Sequence, residues 1–203
     1  MTETVHSAIA AQLDALGIPS HIDTESYPSI VALFEEALAI YRDQAACSSV
    51  GHTLSYADLD RLSAHFAGWL QHGAGLARGD RIAIQMPNLI QYLVVCLGAL
   101  RAGMVVVNTN PLYTERELEH QLNDAGVKVM VVQANVAQTV ASVLPRTGVE
   151  TVVVTEIADL HPQPKRTLIN FLVKYVKKMV PEFSISGALK LNNVLGEGAK
   201  TPY

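Results

Sequence analysis

The sequence predicts an α/β protein, a mostly parallel sheet flanked by helices on both faces. Four short runs rich in β-branched residues carry that reading: RIAIQM from Arg81, MVVVN from Met104, VKVMVV from Val127 and ETVVV from Glu150. Apolar strands of this kind, without polar alternation, are buried on both faces. They begin about 23 residues apart, and helical segments start between them near Asn88, Thr114 and Asn135. That spacing is one compact strand and helix joined by short turns, and right-handed crossovers stack such units into a doubly wound layer.

Residues 1–26 are acidic and weakly patterned, an arm with a helix expected from about Thr4 to Leu16, ended by Gly17 and Pro19. The α/β scaffold is expected over residues 27–160. Ser29 can accept an amide hydrogen at the start of a helix whose Ile30, Leu33, Phe34, Ala37, Leu38 and Tyr41 recur at three- and four-residue steps, predicting one buried face. AACSSVGHTLS reads as two short strands turning at Val50 and Gly51. Ser55 and Asp58 form a capping box, and Leu59, Leu62, Phe66, Trp69 and Leu70 keep the helical period to Gly73. Thr114 to Glu117 is a second capping box, with acids at the positive end of the helix dipole.

Residues 161–203 read as a linker, an amphipathic helix and a truncated tail. HPQPK is the linker, and a helix is expected from Thr167 to Val180, stopped by Pro181. On a helical wheel Thr167, Asn170, Lys174, Lys177 and Lys178 share an arc of roughly 100°, and the other positions are apolar, so something must cover that face. The remainder, SGALKLNNVLGEGAKTPY, shows no closing helix or strand, and the chain looks cut.

The chain has 203 residues, 49% of them hydrophobic, and a formal net charge of -4. Such a make-up excludes general disorder and argues against a nucleic-acid partner, which would need clustered Lys and Arg. The charge is unevenly spread. Residues 1–44 carry seven acids and one base, residues 45–160 ten and seven, and residues 161–203 two and seven. Cys47 and Cys96 stand apart in apolar contexts, as reduced core thiols do. With no spanning-length apolar run and no basic-then-apolar leader, the reading expects a cytoplasmic protein.

Motifs with a known chemistry are few. The glycines of HGAGLARGD close a helix and lead into a strand, the reverse of a dinucleotide fingerprint, and read as a turn. GEGAKT, from Gly196 to Thr201, lacks the preceding strand of a phosphate loop and reads as a loop. His65, His72 and His120 have no metal spacing, and no Gly-x-Ser-x-Gly elbow is present, so neither a metal site nor a nucleophilic hydrolase is expected. The best-placed polar set is Asn108, Asn110, Tyr113 and Thr114, in a loop expected at a strand's C-terminal end, where open α/β sheets bind ligands. Turn and cap chemistry is the competing account of the same residues.

At these residues the sequence resembles a known family. The stretch GDRIAIQMPNLIQYLVVCLGALRAGMVVVNTNPLYTERELEHQLNDAGVKVMVV is similar to the N-terminal region of bacterial long-chain fatty-acyl-CoA synthetases, adenylate-forming acyl-activating enzymes. The likeness runs from about Tyr27 through LSYADLD to NFLVKYVKKMVP. It implies that the sheet is part of a large N-terminal domain of a long-chain fatty acid–CoA ligase. Such an enzyme uses ATP, Mg and coenzyme A to make an acyl-adenylate and then an acyl-CoA. The family's phosphate loop, adenine and magnesium motifs and lysine-bearing C-terminal domain match no segment here. The resemblance therefore implies an inactive fragment that binds none of these cofactors and has no catalytic residue in this chain. Its partners would be the rest of the parent enzyme, with fatty acid and coenzyme A for the whole protein, and a homodimer is left open.

A second reading is a non-catalytic module docking on a protein or an anionic membrane through helix 167–180. There Lys174, Lys177 and Lys178 would face the lipid and the protein would sit peripherally at the inner membrane.

Overall fold

The computed structural model describes residues 2–19 and 25–203. Contacts divide the chain into two compact units, Met1–Phe34 and Glu35–Tyr203. The first holds helix α1 (Thr2–Ala15), turning at Gly17. Helix α2 (Ile30–Ile40) begins where Ser29 Oγ accepts from the Ala32 amide at 3.1 Å, the cap its sequence offers. The expected buried stripe of α2 is corrected. Leu38 is buried, whereas Ile30, Leu33 and Tyr41 are exposed.

The second unit opens with a hairpin of β1 (Ala45–Ser49) and β2 (His52–Ser55), antiparallel with Ser49 opposite His52. Val50 and Gly51 form its turn, both at positive φ. Ser55 then caps α3 (Tyr56–Gly68) through the full capping box with Asp58, and the helix continues as a π-turn over Trp69–Gly73.

A five-stranded sheet follows, in the order β4-β3-β5-β6-β7, and every neighbouring pair is parallel. Its strands are β3 (Arg81–Gln85), β4 (Val105–Asn108), β5 (Val127–Gln133), β6 (Thr151–Thr155) and β7 (Leu189–Lys190). Helices α4 (Ile90–Arg101), α5 (Glu115–Asp124), α6 (Ala137–Val143) and α7 (Lys165–Phe171) connect successive strands, and α8 (Leu191–Gly198) follows β7. Side chains alternate across the sheet. Ala83, Met130, Val132 and Val152 join Leu118, Leu122, Val140 and Val143 of α5 and α6 in one core. Between them in sequence, Ile82, Ile84, Val129, Val131 and Val153 are fully buried outside that cluster. On this side α3 packs on α4 and on α8.

Two expectations about the tail are overturned. Instead of trailing off, residues 189–198 add a strand to the sheet and a helix to its cover, and the first half of GEGAKT, Gly196 to Gly198, is the last turn of α8. Leu191, Val194 and Leu195 of α8 are buried. The helix approaches α3 so closely that a Cβ on Gly198 would meet the His65 carbonyl oxygen, and one on Gly68 the Thr201 carbonyl oxygen. The helix expected over Thr167–Val180 is shorter, with α7 relaxing into a π-turn at Leu172–Val176 and ending where Lys178 adopts φ +52.

Candidate functional site

Parallel strands deliver their C-terminal ends, and the turns leading into the next helices, to a single edge, and that edge is where polar side chains collect. At the end of β4, Asn108 Oδ1 accepts from Tyr92 Oη at 2.9 Å and its carbonyl from Gln121 Nε2 at 3.2 Å. Asn110 folds its own turn, Oδ1 accepting from the Leu112 amide at 2.9 Å, while buried Gln85 donates to its carbonyl at 3.1 Å. Thr114 caps α5. Its amide and hydroxyl both donate to Glu117 Oε2, at 2.9 and 2.8 Å, and these bonds hold the Glu117 carboxyl below the usual range. Tyr113 packs against the α5–α6 core, and Leu112 at the tip is 87% exposed.

Across the sheet, beyond β5, lies a cleft of about 660 Å³. Ala134 after β5, Val154 and Glu156 at the end of β6, and Leu189 of β7 form its sheet side, and α7 with its π-turn forms the opposite wall. None of Asn108, Asn110, Tyr113 and Thr114 lines it, so the expected loop and the cleft are separate features of one edge.

The cleft is organised by the turn after β6. Asp159, 8% exposed, accepts from the Glu156 amide at 2.8 Å, from Thr155 Oγ1 at 3.2 Å and from Asn170 Nδ2 at 3.0 Å. Burial pushes its carboxyl above the ordinary value against those bonds. Asn170 also donates to Glu156 Oε2 at 3.2 Å and accepts from the Ala158 amide at 3.0 Å, which locks α7 onto the turn. From below, buried Gln91 donates to the carbonyls of Glu156 and Ile157 at 2.9 and 3.2 Å.

This locking turns α7 inside out relative to an ordinary surface helix. Asn170 points into the protein and Lys174 lines the cleft, with Nζ 5.4 Å from the Tyr175 ring centre. Leu168, Phe171, Leu172, Tyr175, Val176 and Met179 are exposed, Tyr175 and Val176 by 59% each. Lys177 and Lys178 are exposed at the end of the same helix. Asp159, Asn170 and Arg166 therefore matter to this edge although the sequence reading did not select them as a site. The available signal was Asn170 standing on the polar arc of the expected helix.

The turns after β3, β4 and β5 (86–89, 109–114 and 134–136) contain no glycine, so none of the three is a glycine-rich phosphate loop. Among the described residues no group of three or more His, Cys, Asp or Glu could hold a metal ion. Among the described residues no helix is long and apolar enough to cross a membrane.

The sequence and the fold both have relatives. The family model for the AMP-binding enzyme matches residues 34–188. The long-chain-fatty-acid–CoA ligase of Escherichia coli O157:H7 is 44% identical over 186 residues, which are 92% of this chain and 33% of that protein. The ligase of the same description from Haemophilus influenzae is 43% identical over 187 residues, again 92% of this chain and 33% of the relative. The chain thus spans about a third of the length of these curated relatives. Among solved structures, the anthranilate CoA ligase AuaEII in complex with anthranoyl-AMP superposes with a TM-score of 0.68 at 16% identity, over 89% of this chain and 29% of that one. At that identity the match speaks for the fold.

Proposed function

Because the chain belongs to the AMP-binding enzyme family, we propose that it is the N-terminal portion of an ATP-dependent long-chain fatty acid–CoA ligase. In that reaction a fatty-acid carboxylate oxygen attacks the α-phosphorus of ATP and diphosphate leaves. The coenzyme A thiolate then attacks the acyl carbonyl and AMP leaves. The observation that carries the reading is the 44% identity over 92% of the chain to proteins of that description. ATP, Mg and coenzyme A belong to the whole enzyme, and no step through them is assigned to residues of this chain. Residues 27–160 serve as scaffold, and 161–203 fasten the cleft wall and the last strand. The Asn108, Asn110, Tyr113 and Thr114 loop stands beside the ligand without touching the reacting atoms, the side-chain oxygens of Asn108, Asn110 and Thr114 being engaged within the protein.

The isolated chain is not sufficient for the chemistry. Adenylation needs donors and cations around a leaving diphosphate, and the turns of this edge provide no glycine-rich cradle for one. The test is AMP release from ATP, palmitate and coenzyme A by the isolated chain. None is expected, and sustained turnover would overturn the reading.

A second reading is favoured by one observation, the exposed apolar side chains Leu168, Leu172, Val176 and Met179 along α7, its π-turn and the residues just after it, none of which lines the cleft. An anionic membrane surface fits that face, with Lys174, Lys177 and Lys178 beside it, and would hold a cytoplasmic protein peripherally at the inner membrane. Flotation with anionic but not zwitterionic liposomes is expected. Flotation unchanged by replacing the three lysines with glutamate would contradict it.

A further inference from the structure

A second cleft, of about 450 Å³, lies between β2, α3, α8 and the loop leading into α7. Three imidazoles and two guanidinium groups line it: His52, His65, His161, Arg61 and Arg166. We propose that this cleft is a binding site for a small tetrahedral oxyanion, a phosphate group or its equivalent, taken up together with protons. The proposal goes beyond the ligase reading and does not depend on it.

His161 is buried in the cleft wall, 3% exposed. Its Nε2 lies 3.0 Å from the Val50 carbonyl oxygen, an acceptor only, so Nε2 carries the hydrogen and Nδ1 is the bare nitrogen. That Nδ1 is buried and has no partner. A buried imidazole nitrogen in this state is satisfied either by a donor or, once protonated, by an anionic acceptor. The surroundings favour the second. The His52 ring lies 5.0 Å away, tilted by 41°, and Arg166 makes no ion pair among the described residues.

Arg166 has hydrogens to spare. With the Gln163 amide oxygen turned toward it, that oxygen accepts from Nη2 at 3.0 Å and Nε at 3.1 Å, and Nη1 reaches the Asp159 carbonyl at 3.5 Å. Two of its five N–H groups are then unassigned. The two carboxylates of the cleft already have partners, Asp58 within the cleft itself. Asp58 is held by Arg61 and by the α3 capping box, and Asp159 by Glu156, Thr155 and Asn170.

With neutral imidazoles, the two carboxylates balance the two guanidinium groups. Protonating His52 and His65 makes the cleft cationic, and Lys165 adds its field at His52. Desolvation and its cationic neighbours hold His52 and His65 below the ordinary imidazole range, so in the empty cleft they are uncharged at neutral pH. A bound anion reverses that preference, and by linkage its affinity rises as pH falls.

The test is an NMR titration of the full chain, labelled with 15N, in chloride buffers of constant ionic strength. Inorganic phosphate is added at pH 7, and sulfate, whose charge is constant over the range, at pH 6 and pH 8. Saturable shifts of the His52 and His161 ring signals and of the residues around Arg166 are expected with both anions. Sulfate should bind at least about fivefold more tightly at pH 6. Arg166→Gln and His52→Gln should each weaken binding about tenfold, and His120→Gln, outside the cleft, should not. Shifts that grow linearly without saturating, equal sulfate affinity at the two pH values, or wild-type affinity in folded Arg166→Gln would overturn the proposal.

Discussion

His161 Nε2 donates to the carbonyl oxygen of Val50 at 3.0 Å, tying the loop before α7 to a hairpin turn 111 positions earlier in the chain. Val50 sits at φ +50 and Gly51 at φ +74, the signature of a type I′ turn. Glycine tolerates that backbone and valine does not, because its branched Cβ crowds the backbone at positive φ. Val50→Asn, which keeps the carbonyl that His161 uses, should stabilise the chain by about 1 kcal/mol. Urea unfolding of the variant and the parent measures it, and an unchanged or lower midpoint would contradict the account of the turn.

The crossing of α3 and α8 is a backbone contact. Gly198→Ala should cost about 3 kcal/mol, since its new methyl must displace the His65 carbonyl and not a flexible side chain. Gly196→Ala, two residues earlier with open space at its Cβ, should be neutral or slightly stabilising. Thermal melts of the pair separate close approach from simple helix propensity.

Arg101 is another fixed point. Its side chain, 6% exposed, donates to Asp60 Oδ1 at 2.6 Å, to the Asp60 carbonyl at 2.9 Å and to Ser63 Oγ at 2.8 Å, with the Tyr203 ring 5.1 Å from its guanidinium carbon. Lysine cannot reproduce that fork. Arg101→Lys should lose about 2 kcal/mol in urea unfolding, and a loss indistinguishable from zero would show the fork to be dispensable.

Stability should fall in mild acid through His52 and His65. Burial, with His161 beside His52 and Arg61 beside His65, depresses both folded-state values. A group depressed on folding contributes stability that is present above its unfolded value, near 6.5, and is lost as pH falls through the folded one. Urea midpoints in chloride buffer should drop between pH 7.5 and pH 5.5, and less so in His52→Gln and His65→Gln. Equal drops in all three proteins would assign the acid sensitivity elsewhere.

The central sheet was legible because β-branched runs at one spacing leave few alternatives, and both capping boxes were legible because Ser55–Asp58 and Thr114–Glu117 satisfy the amides locally. Strand β7 and helix α8 were not. Two residues make no pattern, and Asn192, Asn193, Gly196 and Gly198 conceal a stripe of Leu191, Val194 and Leu195. The orientation of α7 was hidden for a different reason. A helical wheel finds the polar arc but not what it faces, and here Asp159 draws Asn170 inward and leaves the apolar side out. The polar loop from Asn108 was found by position, whereas the cleft past β6 depends on contacts between residues brought together only by the fold.

The most direct test of the central claim is a graft. Residues 34–188 of this chain replace the aligned segment of the Escherichia coli O157:H7 long-chain-fatty-acid–CoA ligase, and palmitoyl-CoA formation is measured with ATP and Mg. If the chain is a ligase scaffold, the chimera retains turnover to within about tenfold, a barrier change of about 1.4 kcal/mol. A chimera that folds with native helix and strand content but forms neither palmitoyl-CoA nor AMP would contradict it.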